Sequence, residues 1–439
     1  MRMLRALTLD AGLNGKGSSG YEDGIHLDFA RGTYYVKAAN NAPTNAALTS
    51  LFTFTGGNES MYMGPAGLLV QSVTNTPRIE YNSSGGCLGL LMEPARTNLC
   101  LQSQNIATTW GNDNSSETVD ATTAPDGVPL SADLLVENGA GTRHGIFQGV
   151  TVVAGSTYTF SVFVKSKERT ACMITIDDAA TGLIGCKVYA NLATGAVSGG
   201  VALTTGTYTG STITALANGW YRVTLTGTPG GAITAARVIV HMCNPAGTET
   251  YTGDSASGMY VWGGQMELGS FASSYIPTTT VSVARTADRC IRTLSTEFSA
   301  SAGTLVVQGD VANSVGATPA IVALHNNAGT GAEEMILYAN AGARRWIVTD
   351  GGVAQGNVLA GSITDGASGK MAAVYTANDL DLAVNGVMSG VQDTSATLPT
   401  VTRMDLMRQD ASAITLGHIL RLDYWPERKS NTYLQQATF

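Results

Sequence analysis

The middle of the chain alternates apolar and polar positions with period two. In "STYTFSVFVKS" (156–166), Tyr158, Phe160, Val162 and Val164 share one side, and Thr157, Thr159, Ser161 and Phe163 the other. "GWYRVTLTGT" (219–228), "AARVIVHMC" (235–243), "GTLVVQGDV" (303–311) and "EEMILYAN" (333–340) repeat the pattern between Gly, Asn, Asp and Pro turn signals. That period places alternate side chains on opposite faces of a strand. Short strands spaced by turns predict an all-β chain of tandem sandwich or jelly-roll domains. "VNGV" (384–387) carries Asn-Gly, a strong hairpin signal. Helical period is nearly absent, except that Ser430 is placed to N-cap a short helix through "NTYLQQA" (431–437).

At 439 residues the chain exceeds one ordinary core. The pattern divides it into an irregular segment over 1–95, a dense strand block over 96–280, a linker over 281–289 and a second sandwich over 290–439. No fixed-period repeat marks a solenoid.

Composition narrows the class. Charged residues are only 13% of the chain while apolar ones reach 44%, enough to build cores. Net charge is −8, and the densest basic stretch, "KSKERT" (165–170), is short, which argues against nucleic acid. No apolar run is long enough for a membrane span. "MRMLRALTLDAG" is too short in its apolar part for a signal peptide, so synthesis in a cytoplasm is expected. Six cysteines lie singly without a CxxC pair and read as small buried hydrophobes.

"YVWGGQMELGSFASSYIPT" (260–278) poses the sharpest choice between chemistry and architecture. Strict alternation puts Tyr260, Trp262, Gly264, Met266 and Leu268 on a core face, and Gln265 and Glu267 opposite, solvated or bonded to a loop. The paired glycines suit a bulge or a close approach of the other sheet. In "NGWYRVTLTG", Trp220 and Arg222 share a face, with Arg222 expected over an aromatic ring or beside Glu267 or Asp254.

These segments also carry a resemblance. "GLLMEPARTNLCLQSQNIATTW" (89–110) is similar to the opening of carbohydrate-binding-module-like domains in bacteriophage virion proteins. Glu93, Arg96, Thr97, Asn98 and Leu99 match, Trp110 follows, and Ile106 stands where those proteins usually have Phe. "YVWGGQMELGSFASSYIPTTTVSVARTAD" resembles the strand that closes the same jelly roll. "LGHILRLDYWPERKSNTYLQQAT" (416–438) resembles the last strand and helix of concanavalin-A-like lectin domains in phage structural proteins, and "HLDFARGTYYV" (26–36) and "TPRIEYN" (76–82) their leading segment.

The resemblance implies a tail fibre, head fibre or decoration protein located in the virion. It would dock to other virion proteins through the N-terminal segment, assemble as a homotrimer and contact host-surface polysaccharide, without inserting in a membrane. It also brings in structural calcium, for which "WGNDNSSETVD" (110–120) and "GDSASG" (253–258) offer Asp113, Asp120 and Asp254; the same residues are ordinary in turns. Trp110, Trp220, Arg222, Asn326, Asn327 and Trp346 are the candidate sugar contacts, since aromatic faces stack on pyranose rings and the polar groups bind hydroxyls. For Trp220 and Trp346 the competing reading is a core position.

No catalytic arrangement emerges. The acidic pairs at 177–178 and 333–334 and the "DLD" at 379–381 are close in sequence only, and strand neighbours face apart. There is no G-x-S-x-G and no H-E-x-x-H, and the five histidines are isolated. The expectation is a non-enzymatic protein. A polysaccharide-degrading tail enzyme and a purely structural decoration protein are the alternatives.

Overall fold

The computed structural model describes residues 22–38, 41, 44–244, 246–312, 319–326, 331–340, 342–390, 393–408 and 416–439. It is built of antiparallel strands and separates into two compact units, 55–288 and 1–54 with 289–439.

The unit 55–288 holds two six-stranded sheets. One runs in the order Gly111–Asp113, Gly145–Thr151, Ala235–Met242, Ala171–Asp178, Gly185–Asn191, Ala196–Leu203. The other runs Ser115–Thr122, Ala132–Glu137, Gly258–Leu268, Tyr158–Ser166, Trp220–Thr228, Thr207–Ala215. Between them lies a core that includes Phe160, Val162, Val164, Ile174, Val188, Leu225, Val238 and Met266. The alternation of 156–166 is reproduced: its apolar row enters this core, while Phe163 joins a second cluster with Trp220, Trp262 and Tyr275.

Strict alternation fails in the closing strand Gly258–Leu268. Met259 and Val261 face the main core, Trp262 faces the second cluster, and Met266 faces the main core again. The register shifts between Ser161 and Phe163, whose partners are Gln265 and Trp262. Gly263 supplies the left-handed residue of this bulge (φ 67°), where a Cβ would sit 2.6 Å from Phe163 Cδ2. A Cβ on Gly264 would lie 2.7 Å from the Trp110 ring. Both glycines therefore serve the close approach their pairing implied.

The segment 281–289 is not a free linker. Val283–Arg285 pairs with Arg96–Asn98. Likewise 1–95 is not one block. Residues 55–95 belong to the unit just described, and Met61 and Leu69 cover its aromatic cluster.

In the other unit, Gly24–Asp28 pairs with Leu416–Trp425, which pairs with Ala302–Ala312. The sheet continues outward through Thr33–Lys37 and Thr44–Asn45, and on the other side through Gly369–Thr376, Asp379–Val384 and Val387–Met388. The second sheet has seven strands, from Val353–Ser362 to Thr53–Thr55. Before residue 55, Gly24–Asp28, Thr33–Lys37 and Thr44–Asn45 are thus strands of this sandwich; of the expected docking segment, 1–21, 39–40 and 42–43 lie outside the described residues. Asn385 and Gly386 take positive φ in the expected hairpin turn. The helix Asn431–Thr438 starts where expected, with Ser430 accepting from Tyr433 N (3.2 Å), and buries Leu434. No helix among the described residues is long and apolar enough to cross a membrane.

Candidate functional site

The outer face of the sheet containing Trp220–Thr228 has three parts. The first is the aromatic cluster. Trp220 is fully buried and its Nε1 donates to Thr123 O (3.0 Å), beneath Met61 and Leu69. Trp220 and Arg222 do share a face, but a segment about 150 residues earlier in the chain covers the tryptophan.

The second part is a buried clasp made from the residues that carry the resemblance. Arg78 Nη1 donates to Glu93 Oε2 (2.5 Å) and Arg78 Nη2 to Asp288. Arg285 Nη1 lies 3.6 Å from Glu93 and 3.8 Å from Asp288. All four side chains are at most 1% exposed. Burial alone would raise the Glu93 carboxyl, but Arg285, Arg78 and the N–H and hydroxyl of Ser274 hold it far below the usual carboxylate range. Asn98 donates to Gly264 O (3.1 Å) and Ile276 O (2.8 Å) and accepts from Cys100 N (3.0 Å). Gln265 and Glu267 bond to the chain at 273–276, so the loop alternative holds for both: Ser273 Oγ donates to Glu267 (2.7 Å) and Ile276 N to Gln265 (2.7 Å).

The third part is open. A groove of about 340 Å³ lies over Thr207–Ala215 and Trp220–Thr228 and is rimmed by Phe271. Its floor follows from register: Thr214 pairs with Arg222, Thr212 with Thr224 and Gly210 with Thr226. Thr212 and Thr224 join hydroxyls at 2.7 Å, and Thr226 joins Thr159 at 2.9 Å. A Cβ on Gly210 would meet nothing within 4 Å, so the floor is free of side chain there. Phe271 lies half-buried under the Arg96 guanidinium, 4.6 Å from its ring centre.

Arg222 lines this groove, half-buried, with its guanidinium 5.4 Å from the centre of the Phe163 ring. This is the stacking expected of it. Nη2 donates to Ser161 Oγ (2.9 Å), and Nε is buried without a partner. Among the described residues no carboxylate comes within ion-pair distance, and burial pushes the guanidinium below its ordinary value despite more distant Glu267, Glu93 and Glu80. It remains charged at neutral pH.

The other candidate contacts are elsewhere. Trp110 (7% exposed) is in the main core against Gly264, and Trp346 (0%) is in the core of the other unit. Neither presents a ring face to solvent, and with Trp220 they take the core reading. Asn326, half-buried, is in that other unit, where its N–H donates to Glu333 O (3.3 Å); Asn327 lies outside the described residues. Thr209, Thr212, Thr214, Thr224, Thr226 and Phe271 were not singled out in the sequence. The alternating threonines of "TYTGSTITA" (207–215) were the available signal.

The three aspartates form no cluster, and among the described residues no three His, Cys, Asp or Glu side chains group to hold a metal. Asp120 sits at φ 55° with its N–H on Asp133 (3.0 Å). Asp254 accepts from Ala256 N (2.9 Å) and Ser257 N (2.7 Å). Asp113 pairs with His241 Nε2 (3.0 Å), whose Nδ1 faces Glu249 (3.7 Å); Lys187 holds Glu249. Burial and Arg143 would lower His241, but Asp113 and Glu249 outweigh them and raise it. A raised histidine contributes stability that is complete below its unfolded value, about 6.5, and is lost as pH rises through the folded value. His241→Asn is therefore expected to flatten the fall of the unfolding midpoint above about pH 6.5, read by calorimetry across pH. An unchanged slope would show that the pair does not couple to folding.

The acidic pairs considered for catalysis have structural partners. Asp177 binds Arg237 (3.0 and 2.9 Å), Asp178 caps the turn at 181–184, and Asp379 binds Arg428 (2.9 and 3.0 Å). Glu333 accepts from Gly351 N (2.8 Å), and Asp381 accepts from Asn431 (2.8 Å).

No protein-family model matches the sequence, and a search of curated proteins finds no match. Among solved structures, the chain is similar to the CBM40 of the Ruminococcus gnavus IT-sialidase bound to alpha2,3 sialyllactose (20% identity, 32% of this chain, 84% of that chain, TM-score 0.28). It is also similar to the binding domain of botulinum neurotoxin serotype D (10% identity, 34% and 40%, TM-score 0.27). A third likeness is to the Trypanosoma rangeli sialidase in complex with sialic acid (10% identity, 70% and 60%, TM-score 0.28).

Proposed function

We propose that this chain is a non-enzymatic phage virion appendage protein, of fibre, spike or decoration type, whose 55–288 unit contacts a host-surface glycan. The observation that carries the glycan reading is the groove of about 340 Å³, lined by threonine hydroxyls, Phe271 and Arg222. Hydroxyls on rigid strands supply hydrogen bonds at fixed spacing, an aromatic rim supplies apolar area, and the volume is at the lower end of small-ligand sites. The virion reading is supported by the resemblance of the 89–110, 260–288 and 416–438 segments. Engagement of the candidate carboxylates in turns and ion pairs favours binding over hydrolysis. A homotrimer would make weak single sites effective by multivalency.

Gly210→Leu tests the groove. Its Cβ meets open space and its φ is not in the left-handed region, so the variant fills the floor without strain. Retention of the full chain on immobilised host capsular polysaccharide is expected to disappear, while the unfolding free energy stays within about 0.5 kcal/mol. Undiminished retention would remove the groove from the reading.

A further inference from the structure

We infer that the groove selects acidic sugars, and that Arg222 is the specificity residue, holding a sugar carboxylate end-on through Nη1 and Nη2. The inference rests on the glycan reading of the same groove and deepens it.

The starting observation is a cation with no counter-ion among the described residues. Most cationic side chains of the same unit that are as deeply set have carboxylates: Arg78 has Glu93 and Asp288, Arg237 has Asp177, and Arg169 has Glu137. Among the described residues, Arg222 has the neutral Ser161 hydroxyl and the Phe163 ring instead. A guanidinium carries five N–H donors. Nε is buried and out of reach, and one Nη2 hydrogen is given to Ser161. The Nη1 pair and the other Nη2 hydrogen remain, at the end of the side chain that lines the groove.

The guanidinium lies over the Phe163 ring, 5.4 Å from its centre, a contact that uses none of its N–H donors. A planar carboxylate fits a guanidinium edge by two parallel hydrogen bonds, which are shorter and stronger than neutral ones. The surroundings select against anions in general. The chain carries a net charge of −8, so a diffuse anion gains little, whereas a sugar acid also uses the threonine hydroxyls and Phe271. A neutral sugar leaves the guanidinium as underpaired as before, so the acid is preferred by the charge-assisted pair alone.

The experiment uses the full chain on an array of acidic polysaccharides, each spotted beside its carboxyl-reduced form, with calorimetric titration of the hits. Wild type is expected to bind acidic members and to lose about 10- to 100-fold on carboxyl reduction, the range for a charge-assisted hydrogen-bonded pair. Arg222→Gln should lose the same factor on the acidic form and nothing further on the reduced form, because the two changes delete one interaction. Arg222→Lys keeps the charge but not the fork and should fall between them; it carries the test if the glutamine variant folds poorly.

Equal binding of acidic and reduced forms, both abolished by Gly210→Leu, would overturn the acid preference and leave the glycan groove standing. Acidic binding that survives both Arg222→Gln and Gly210→Leu would overturn the site. Silence across the whole array would overturn the glycan reading and this inference together.

Discussion

Replacing Arg78 by methionine is expected to cost the 55–288 unit about 3–5 kcal/mol of unfolding free energy, the range for removing one partner of a buried ion pair. Arg78 is the hub of the clasp, donating to Glu93, Ser274 (3.0 Å) and Asp288. Without it Arg285, at 3.6 and 3.8 Å, is the remaining cation beside the two buried carboxylates, helped only by neutral donors, Ser274 N on Glu93 (2.7 Å) and Glu93 N on Asp288 (2.8 Å). The loss should exceed that from breaking the surface pair Lys37–Asp23, for which about 0–1 kcal/mol is expected. Chemical denaturation at neutral pH measures both.

The pH dependence has a defined sign. Glu93 is depressed in the folded state, so its contribution is present above its ordinary value of 4.5 and is lost as pH falls toward the folded value. Wild type should therefore weaken below about pH 4.5, and the Arg78 variant less steeply, because its Glu93 is less depressed. An Arg78→Met protein within about 1 kcal/mol of wild type would show that the clasp does not hold the unit together.

Trp262→Ala is expected to cost about 3–5 kcal/mol, as for a large buried aromatic. The ring is 1% exposed and packs on Phe163 (5.5 Å, edge-on) and Tyr275 (4.9 Å). The surrounding cluster draws on Met61, Leu69, Ala124 and Leu216, from several segments, so a cavity there loosens several at once. Calorimetry should show the loss directly. Glycan binding should persist wherever the unit remains folded, since Trp262 does not line the groove. Abolished binding with an unchanged unfolding midpoint would instead make the ring a ligand contact.

These two residues mark how far sequence reasoning reaches. Period two placed Phe160, Val162 and Phe163 on the faces they occupy, because a strand's alternation is local geometry. It misplaced Trp262 relative to Met266, because one bulge at Gly263 inverts everything beyond it. The pairing of Asn385-Gly386 with a turn, and of Ser430 with a helix start, were also local and legible.

The candidate site was legible only in part. Arg222 was visible as a polar residue on a strand face, but Trp220 on that same face was not separable from it. What separates them is a hairpin about 150 residues upstream that covers one and leaves the other open. The same holds for Glu93 and Asp288, which lie nearly 200 residues apart and meet in one clasp.

By itself, then, the sequence determined the all-β class, the strand alternation, the turn and cap positions and the glycine pair of the closing strand, all properties of neighbouring residues. Tertiary structure alone decided that strands before residue 55 complete the sandwich of the second unit, that the tryptophans are core, and that one arginine faces an open groove with no carboxylate among the described residues in ion-pair reach. Those outcomes depend on which distant segment covers which face, and long-range packing is not encoded in any local period.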